Sequence, residues 1–180
     1  GAQAVHGISM EDLADAPVLG EMDQRLRKVE RLGKTSRVAQ AEVTEVEADP
    51  ETAHDLQLAP GARVQRASHV RLTDRHPVGY VITYVPAALR VRFDLRELNE
   101  SPMLNLLERK GVDIAAADQV ISATLADARL ASLLNTTVGA PLVHIRLVVF
   151  DSQRRPVERL VAWYRGDRYH HHVHLTRKAR

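Results

Sequence analysis

The chain has 180 residues, of which 44% are hydrophobic and 27% charged, and its formal net charge is +2. These values are ordinary for one soluble globular domain with a short appendage, and so small a charge, on scattered arginines, does not predict a nucleic-acid-binding protein. No cysteine is present, which excludes disulfides, thiolate nucleophiles and cysteine-based zinc sites. No stretch approaches the roughly 20 apolar residues of a membrane span, and early acidic residues argue against a secretory signal, so we expect a cytoplasmic protein.

The first 33 residues are predicted to be a linker that ends in a helix. Residues 1–20 show no sustained period and contain Gly7, Pro17 and Gly20. Residues 21–32 repeat apolar side chains at helical spacing, and Gly33 is a plausible stop. We therefore expect two parts, a linker and helix over residues 1–33 and the main domain over residues 34–180.

The first half of the main domain is predicted to contain strands and one short helix. Asp49 followed by Pro50 is typical of a helix start, since Asp caps free N–H groups and Pro suits the first helical position. This helix should end before Pro60. A tight reverse turn is expected over residues 74–77 from its composition. The predicted strands cover residues 38–46, 64–73 and 78–85.

The second half repeats these elements. Ser101 and Pro102 are expected to open a helix that Gly111 stops, and Asp127 to cap another short helix. A second reverse turn is predicted over residues 151–156. The predicted strands cover residues 112–125, 142–150, 157–164 and 167–175.

Strands joined mostly by hairpins, with a few helices between them, indicate an α+β fold with a largely antiparallel sheet. The order helix, strand, reverse turn, strand occurs twice. A similar step precedes each copy: Leu58-Ala-Pro-Gly in the first and Val138-Gly-Ala-Pro in the second. We therefore expect two related halves folded against each other, with a ligand cleft between them.

Several segments together resemble a known family. They are Leu-Gln-Leu-Ala-Pro-Gly at residues 56–61, Val-Arg-Leu-Thr-Asp at 70–74, Val-Gly-Ala-Pro-Leu at 138–142 and Tyr-Arg-Gly-Asp-Arg-Tyr at 164–169. In this order and spacing, residues from about 36 to 175 are similar to the UTRA domain, the effector-binding part of the HutC subfamily of GntR regulators. The resemblance implies a chorismate lyase-like fold and a winged-helix DNA-binding domain ahead of the sensor. The first 33 residues are too short for that domain and resemble the family's linker helix.

The resemblance also implies a site for a small anion, such as a phosphorylated sugar. Sugar-phosphate sensors carry Arg-x-Arg on the strand before the first turn, where this chain has His69 and Arg71. Arg71 keeps the planar fork that grips phosphate or carboxylate, although a surface ion pair would also explain it. His69 is a weaker anion partner whose charge depends on pH. Val81 replaces a Glu that binds a sugar hydroxyl, which argues against a hexosamine phosphate.

Three more residues match ligand-contacting positions of the family. Ser101 lies at a predicted helix start, where free N–H groups suit an anion, and a plain N-cap is the alternative. Glu158 and Tyr164 are six residues apart and therefore share one face of a strand. Tyr164 could equally be a core aromatic residue with a satisfied hydroxyl. Residues 165–168 predict an ion-pair turn.

The histidines at residues 170–174 raise the question of a metal site. On a strand, His170, His172 and His174 would point to one side. Alternate residues are nearly 7 Å apart, at about 3.4 Å per step, so three imidazoles would converge on one metal only if the strand bent. We therefore predict neither a metal nor a cofactor.

The leading hypothesis is an effector-binding module that works as a homodimer and reaches DNA only through an attached winged-helix domain. Two alternatives stay open from the sequence. A chorismate lyase-like enzyme rests on fold analogy alone, and no Ser/His/Asp or paired-carboxylate arrangement emerges from the spacing. A dimerisation module without a small ligand is the other.

Overall fold

The computed structural model describes residues 37–170, so the predicted linker and most of the histidine run lie outside the described residues. Strands and short helices alternate along this part of the chain. The strands are β1 (Arg37–Glu47), β2 (Arg63–Thr73), β3 (His76–Pro86), β4 (Ile114–Leu125), β5 (Pro141–Asp151) and β6 (Pro156–Arg165). The helices are α1 (Pro50–Asp55), α2 (Leu95–Glu100), α3 (Met103–Arg109) and α4 (Ala128–Leu133), and a 3-10 turn covers Ala87–Leu89.

The six strands form a single sheet in the order β1-β2-β3-β6-β5-β4, and every neighbouring pair is antiparallel. The predicted α+β fold with an antiparallel sheet is confirmed. Each half has the same connectivity, since β1-α1-β2-β3 corresponds to β4-α4-β5-β6, while α2 and α3 lie in the connection between the halves. The repeat seen in the sequence is therefore a repeat of structure, with one more strand at the start of each copy.

The two halves join edge to edge at β3 and β6. Six residue pairs connect these strands, from Gly79 opposite Tyr164 to Tyr84 opposite Arg159. Backbone hydrogen bonding thus makes one continuous sheet across the join. The ligand cleft expected between the halves is therefore not a gap between two strand edges, and its place on a face of the sheet stays a prediction.

The turn between β2 and β3 is shorter than predicted. Asp74 and Arg75 both have positive φ, 48° and 66°, as in the two-residue hairpin turns whose twist matches that of the flanking strands. His76 and Pro77 already belong to β3, where they pair with Thr73 and Leu72.

Helix α2 was not predicted, and it changes the role of Ser101. Asp94 caps α2 by accepting from the Glu97 N–H at 2.9 Å, and Glu97 Oε2 accepts from the Asp94 N–H at 3.0 Å. Ser101 ends this helix, since its N–H donates to the Glu97 carbonyl at 2.9 Å, and Pro102 precedes α3. The N-cap alternative for Ser101 is therefore wrong.

The predicted last strand is not formed over residues 167–170, the portion that the structure describes. Two backbone N–H groups, of Arg168 and Tyr169, donate to the Arg165 carbonyl at 3.1 and 3.0 Å and close a turn. The Arg165 guanidinium binds both Asp167 carboxylate oxygens, at 3.0 and 2.7 Å. The predicted ion-pair turn is confirmed, and it turns the chain out of the sheet directly after β6.

Helices cover parts of both faces of the sheet. We call one the α3 face, because side chains of β2 and β3 pack there against α2 and α3 in a cluster that includes Ala67, Val85, Leu98, Leu106 and Leu107. The opposite α4 face carries a cluster that includes Val70, Ile82, Leu130, Leu134 and Leu142. No helix within residues 37–170 combines the length and the apolar character needed to cross a lipid bilayer.

Candidate functional site

Four of the five predicted ligand residues lie on the α3 face. Arg71 is opposite Gly79, which is opposite Tyr164, so these three residues form one row across β2, β3 and β6. Side chains alternate along a strand, so His69, two residues before Arg71, points to the same face. Glu158, six residues before Tyr164, shares this face for the same reason.

Tyr164 packs directly on the backbone of β3. A Cβ atom added to Gly79 would overlap the Cδ1 and Cε1 atoms of the Tyr164 ring. The ring of Tyr169 lies over it from the other side, with centroids 5.0 Å apart. Glycine at this position therefore allows the phenol to lie flat on the sheet and to reach toward Arg71.

Arg71 and Tyr164 interact through their side chains. Burial raises the pKa of the Tyr164 phenol, while the charge and a hydrogen bond of the Arg71 guanidinium act in the opposite direction. Tyr164 is 9% exposed, and its hydroxyl stays protonated at neutral pH. The pair presents a guanidinium and a phenol at the same place, and both groups can donate hydrogen bonds to an anion.

His69 is uncharged at neutral pH. Burial, with the nearby Arg71 charge as a smaller contribution, lowers the pKa of its imidazole to about 3. Only 6% of this residue is exposed, and neither ring nitrogen has a hydrogen-bond partner within residues 37–170. Buried polar atoms are rarely left in that state, so an additional polar group, such as a ligand, would complete the histidine's hydrogen bonding.

Glu158 is the second buried polar residue whose hydrogen bonding is incomplete. It is 1% exposed, and burial raises the pKa of its carboxyl to about 8. The carboxyl is therefore mostly protonated at pH 7 and can both donate and accept a hydrogen bond. Its Oε2 has no hydrogen-bond partner in the described part of the chain.

Glu158 is separated from the other strand residues along the sheet. Six residues at about 3.3 Å each put its Cα about 20 Å from that of Tyr164. Thr83, which is 2% exposed, lies between the two ends of the face, because it pairs with Leu160 at the middle of this stretch of β6. Sequence reasoning missed Thr83, although a polar residue among the apolar residues of a central strand was an available signal.

Ser101 is half-buried at the α2–α3 junction and is not part of the sheet. Its contact with a ligand remains a prediction. His170 is the one member of the histidine run that the structure describes, and residues 37–170 contain no group of three or more side chains suited to hold a metal ion.

Two surface cavities lie elsewhere. The larger, of about 560 Å³, opens between α1 and the β4–β5 pair and is lined by residues that include His54, Leu58, Asp118 and Phe150. A smaller one, of about 120 Å³, lies beside the 3-10 turn. None of the predicted ligand residues lines either of these two cavities.

Comparison with known proteins places most of the chain in one family. Residues 31–170 match the family model of the UTRA domain. This range includes the whole sheet and all five predicted ligand residues.

Solved structures agree with this match. A transcriptional regulator described from Streptomyces coelicolor has 33% sequence identity and a TM-score of 0.69, covering 75% of this chain and 91% of its own. The ligand-binding domain of a described GntR-family regulator from Bordetella bronchiseptica has 26% identity and a TM-score of 0.70, covering 78% and 89%. The effector domain of PhnF from Mycobacterium smegmatis has 28% identity and a TM-score of 0.64, covering 74% and 81%. The chorismate lyase-like fold that the resemblance implied is confirmed.

Proposed function

Because this chain belongs to the UTRA domain family, we propose that it is the effector-sensing domain of a GntR-type transcription regulator of the HutC subfamily. Its ligand is a small anionic metabolite that binds on the α3 face. DNA binding belongs to an attached winged-helix domain, and the regulator works as a homodimer in the bacterial cytoplasm. The proposal assigns no catalytic step to any residue.

The observation that carries the proposal is the row formed by Arg71, Gly79 and Tyr164. The guanidinium supplies a planar fork of donors, which suits a carboxylate or a phosphate. The phenol beside it adds a further donor and an aromatic surface. A positive side chain held in a largely buried place interacts with an anion more strongly than the same side chain at an exposed position.

The uncharged state of His69, and of Glu158 farther along the same face, supports a ligand with few charges. His69 and Glu158 are both neutral at pH 7, since burial disfavours their charged forms. They can exchange hydrogen bonds with hydroxyl, amide or carbonyl groups without adding charge. Val81 lies opposite His69 and is 2% exposed, so this part of the site also favours an apolar portion of the ligand.

Ligand binding would control DNA binding by favouring one arrangement of the sensor. The ligand can shift that equilibrium only through a difference in affinity between the two arrangements.

A binding experiment tests the proposal directly. A panel of phosphorylated and carboxylated metabolites is screened by thermal shift on the 180-residue chain, and positive compounds are measured by calorimetry. Arg71→Ala should weaken binding by roughly 10- to 100-fold, the effect of losing hydrogen bonds to a charged group. Arg92→Ala is the matched control, since the Arg92 side chain is 82% exposed. Equal affinity of wild type and Arg71→Ala, or an effect as large in the control, would contradict the proposed site.

A further inference from the structure

The larger of the two surface cavities lies on the α4 face, the side of the sheet opposite Arg71 and Tyr164. Val148 of β5 lines this cavity. It follows Leu142, a member of the α4-face cluster, by six residues along the strand and therefore shares its face. The cavity volume of about 560 Å³ is in the range of small-molecule sites. We call it the α1 cavity, after the helix that forms one of its walls.

Part of the lining of the α1 cavity is apolar and is not used to pack the core. Val148 and Phe150 of β5 and Leu58, which follows α1, all line it, and none is a member of the hydrophobic clusters within residues 37–170. The chain has only two phenylalanines. Phe93 is 4% exposed in the core, whereas Phe150 is half-buried. A partly open aromatic ring in a cavity wall offers contact area to the apolar body of a ligand.

One carboxylate in the lining has no cationic partner. Asp55, at the end of α1, and Asp118 of β4 both line the cavity. Arg159 balances the charge of Asp55, with its Nε atom 2.7 Å from Asp55 Oδ2. Asp118 is exposed, and no basic side chain within residues 37–170 pairs with its carboxylate. Asp118 therefore supplies the unbalanced charge of the cavity.

The two arginines on the adjoining part of the α4 face already have partners. Asp118 lies opposite Val148, and Val148 lies opposite Arg159, so these three residues form one row across β4, β5 and β6. Arg159 is 4% exposed and binds Asp55 and Glu51. Arg146 of β5 also pairs with Glu51, at 3.6 Å. The negative charge of Asp118 thus stays available to a ligand.

We propose that the α1 cavity is a second small-molecule site, and that it takes an amphipathic monocation, which is an amine or amidine attached to an apolar body. The cationic group pairs with Asp118, and the body lies against the apolar part of the lining. A cation beside the Phe150 ring gains a further attraction from the negative face of the ring. His54 and Gln57 also line the cavity and can exchange hydrogen bonds with polar substituents of the ligand.

The sign of its charge separates this site from the proposed effector site. Arg71 attracts an anion on the α3 face, whereas the carboxylate of Asp118 repels one at the α1 cavity. The two sites therefore select different compounds. The inference requires no effector on the α3 face, so its failure and the failure of the proposed function are separate results.

The first experiment compares three probes on the isotope-labelled 180-residue chain. Phenethylamine has a cation and an aromatic body, phenethyl alcohol has the same body without the charge, and ethylamine has the cation without the aromatic body. Amide proton–nitrogen correlation spectra report both the affinity and the place of binding. We expect saturable binding of phenethylamine, with the largest shifts at lining residues such as His54, Gln57 and Phe150. Each of the other two probes should bind at least roughly fivefold more weakly.

The second experiment tests the charge with two aspartate variants. Asp118→Asn keeps the shape of the side chain and removes its charge, and it should weaken phenethylamine binding by roughly fivefold, the upper range for a partly exposed ion pair. Asp74→Asn is the matched control, because Asp74 is exposed at the turn between β2 and β3 and does not line the cavity. Its affinity should equal that of the wild type. Circular dichroism establishes that both variants are folded.

Several outcomes would overturn the inference. Equal affinity for phenethyl alcohol would show that the site does not select a cation, and equal affinity for ethylamine would show that the apolar lining contributes nothing. The site itself is wrong if phenethylamine gives no saturable shifts, if the largest shifts fall on the α3 face, or if folded Asp118→Asn binds as tightly as the wild type. The probe comparison needs only the wild-type chain, so it decides the question even if a variant does not fold.

Discussion

Gly79 and Tyr164 occupy opposite positions on the two central strands, and the tyrosine ring fills the space that a Gly79 side chain would take. The contact joins the two halves of the domain at the place where Arg71 meets the phenol. A residue without a Cβ on one half thus determines where an aromatic donor of the other half can lie.

Gly79→Ala should therefore disturb the site and lower stability. The backbone of Gly79 has no positive φ, so alanine would be tolerated or slightly favoured by conformation alone. The overlap with Tyr164 dominates, and we expect a loss of about 1–3 kcal/mol in the free energy of unfolding, as for other overpacked sites. Urea unfolding measures it. In the Tyr164→Ala background the same change should cost little, and an equal cost in both backgrounds would disprove the contact's role.

Glu158 should make stability fall as pH rises from 6.5 to 8. Its pKa is about 8 in the folded chain and has an ordinary value of 4.5, so in this window the folded state holds a proton that the unfolded state has lost. The fall is up to about 1.4 kcal/mol per pH unit. Glu158→Gln, which cannot ionise, should remove it. Glu108→Gln, at an exposed residue of α3, is the control.

The titration of His69 is the reason why the pH range for testing Glu158 begins at 6.5. Its pKa of about 3 lies below the ordinary 6.5, so its contribution to stability is lost as pH falls below 6.5. Between pH 4.5 and 6.5 the two residues therefore act in opposite directions. Urea unfolding of the wild type and both glutamine variants at pH 6.5, 7.2 and 8 isolates Glu158. Parallel curves for wild type and Glu158→Gln would show that the carboxyl is ionised throughout.

Arg159 should be the strongest single polar link between α1 and the sheet. It is 4% exposed, and its guanidinium lies 2.7 Å from both Asp55 Oδ2 and Glu51 Oε1 and 5.6 Å from the Tyr84 ring centre. Arg159→Met should cost about 1.5–3 kcal/mol in the free energy of unfolding, since charge-assisted hydrogen bonds are lost from a buried place.

Arg63→Met is the matched control for that change. Arg63 also pairs with a glutamate, Glu45, but the two side chains are 50% and 38% exposed. Exposed ion pairs contribute about 1 kcal/mol or less. Thermal and urea unfolding of both variants should therefore give a clearly larger loss for Arg159→Met, and equal losses would show that burial of this cluster adds nothing.

Local sequence patterns predicted the structure correctly at most places where it depends on local interactions. The helix start at Asp49 and Pro50 is confirmed, with Asp49 Oδ1 accepting from the Thr52 N–H at 2.8 Å. Helix α2 was missed, although Asp94 and Glu97 form a capping box that the sequence also shows. It has six residues, and so short a helix offers almost no apolar period to recognise.

The sequence by itself determined the six strands of the sheet, three of the four helices, the positions of both hairpins and the family, because alternation, caps, turns and motif spacing all act over a few residues. The tertiary structure decided that β3 and β6 join the halves into one sheet and that Tyr164 lies on Gly79. It also decided that burial leaves His69 and Glu158 uncharged. Such pairings and burials depend on contacts between segments some 80 residues apart, and no local pattern records which distant strand a given strand will meet.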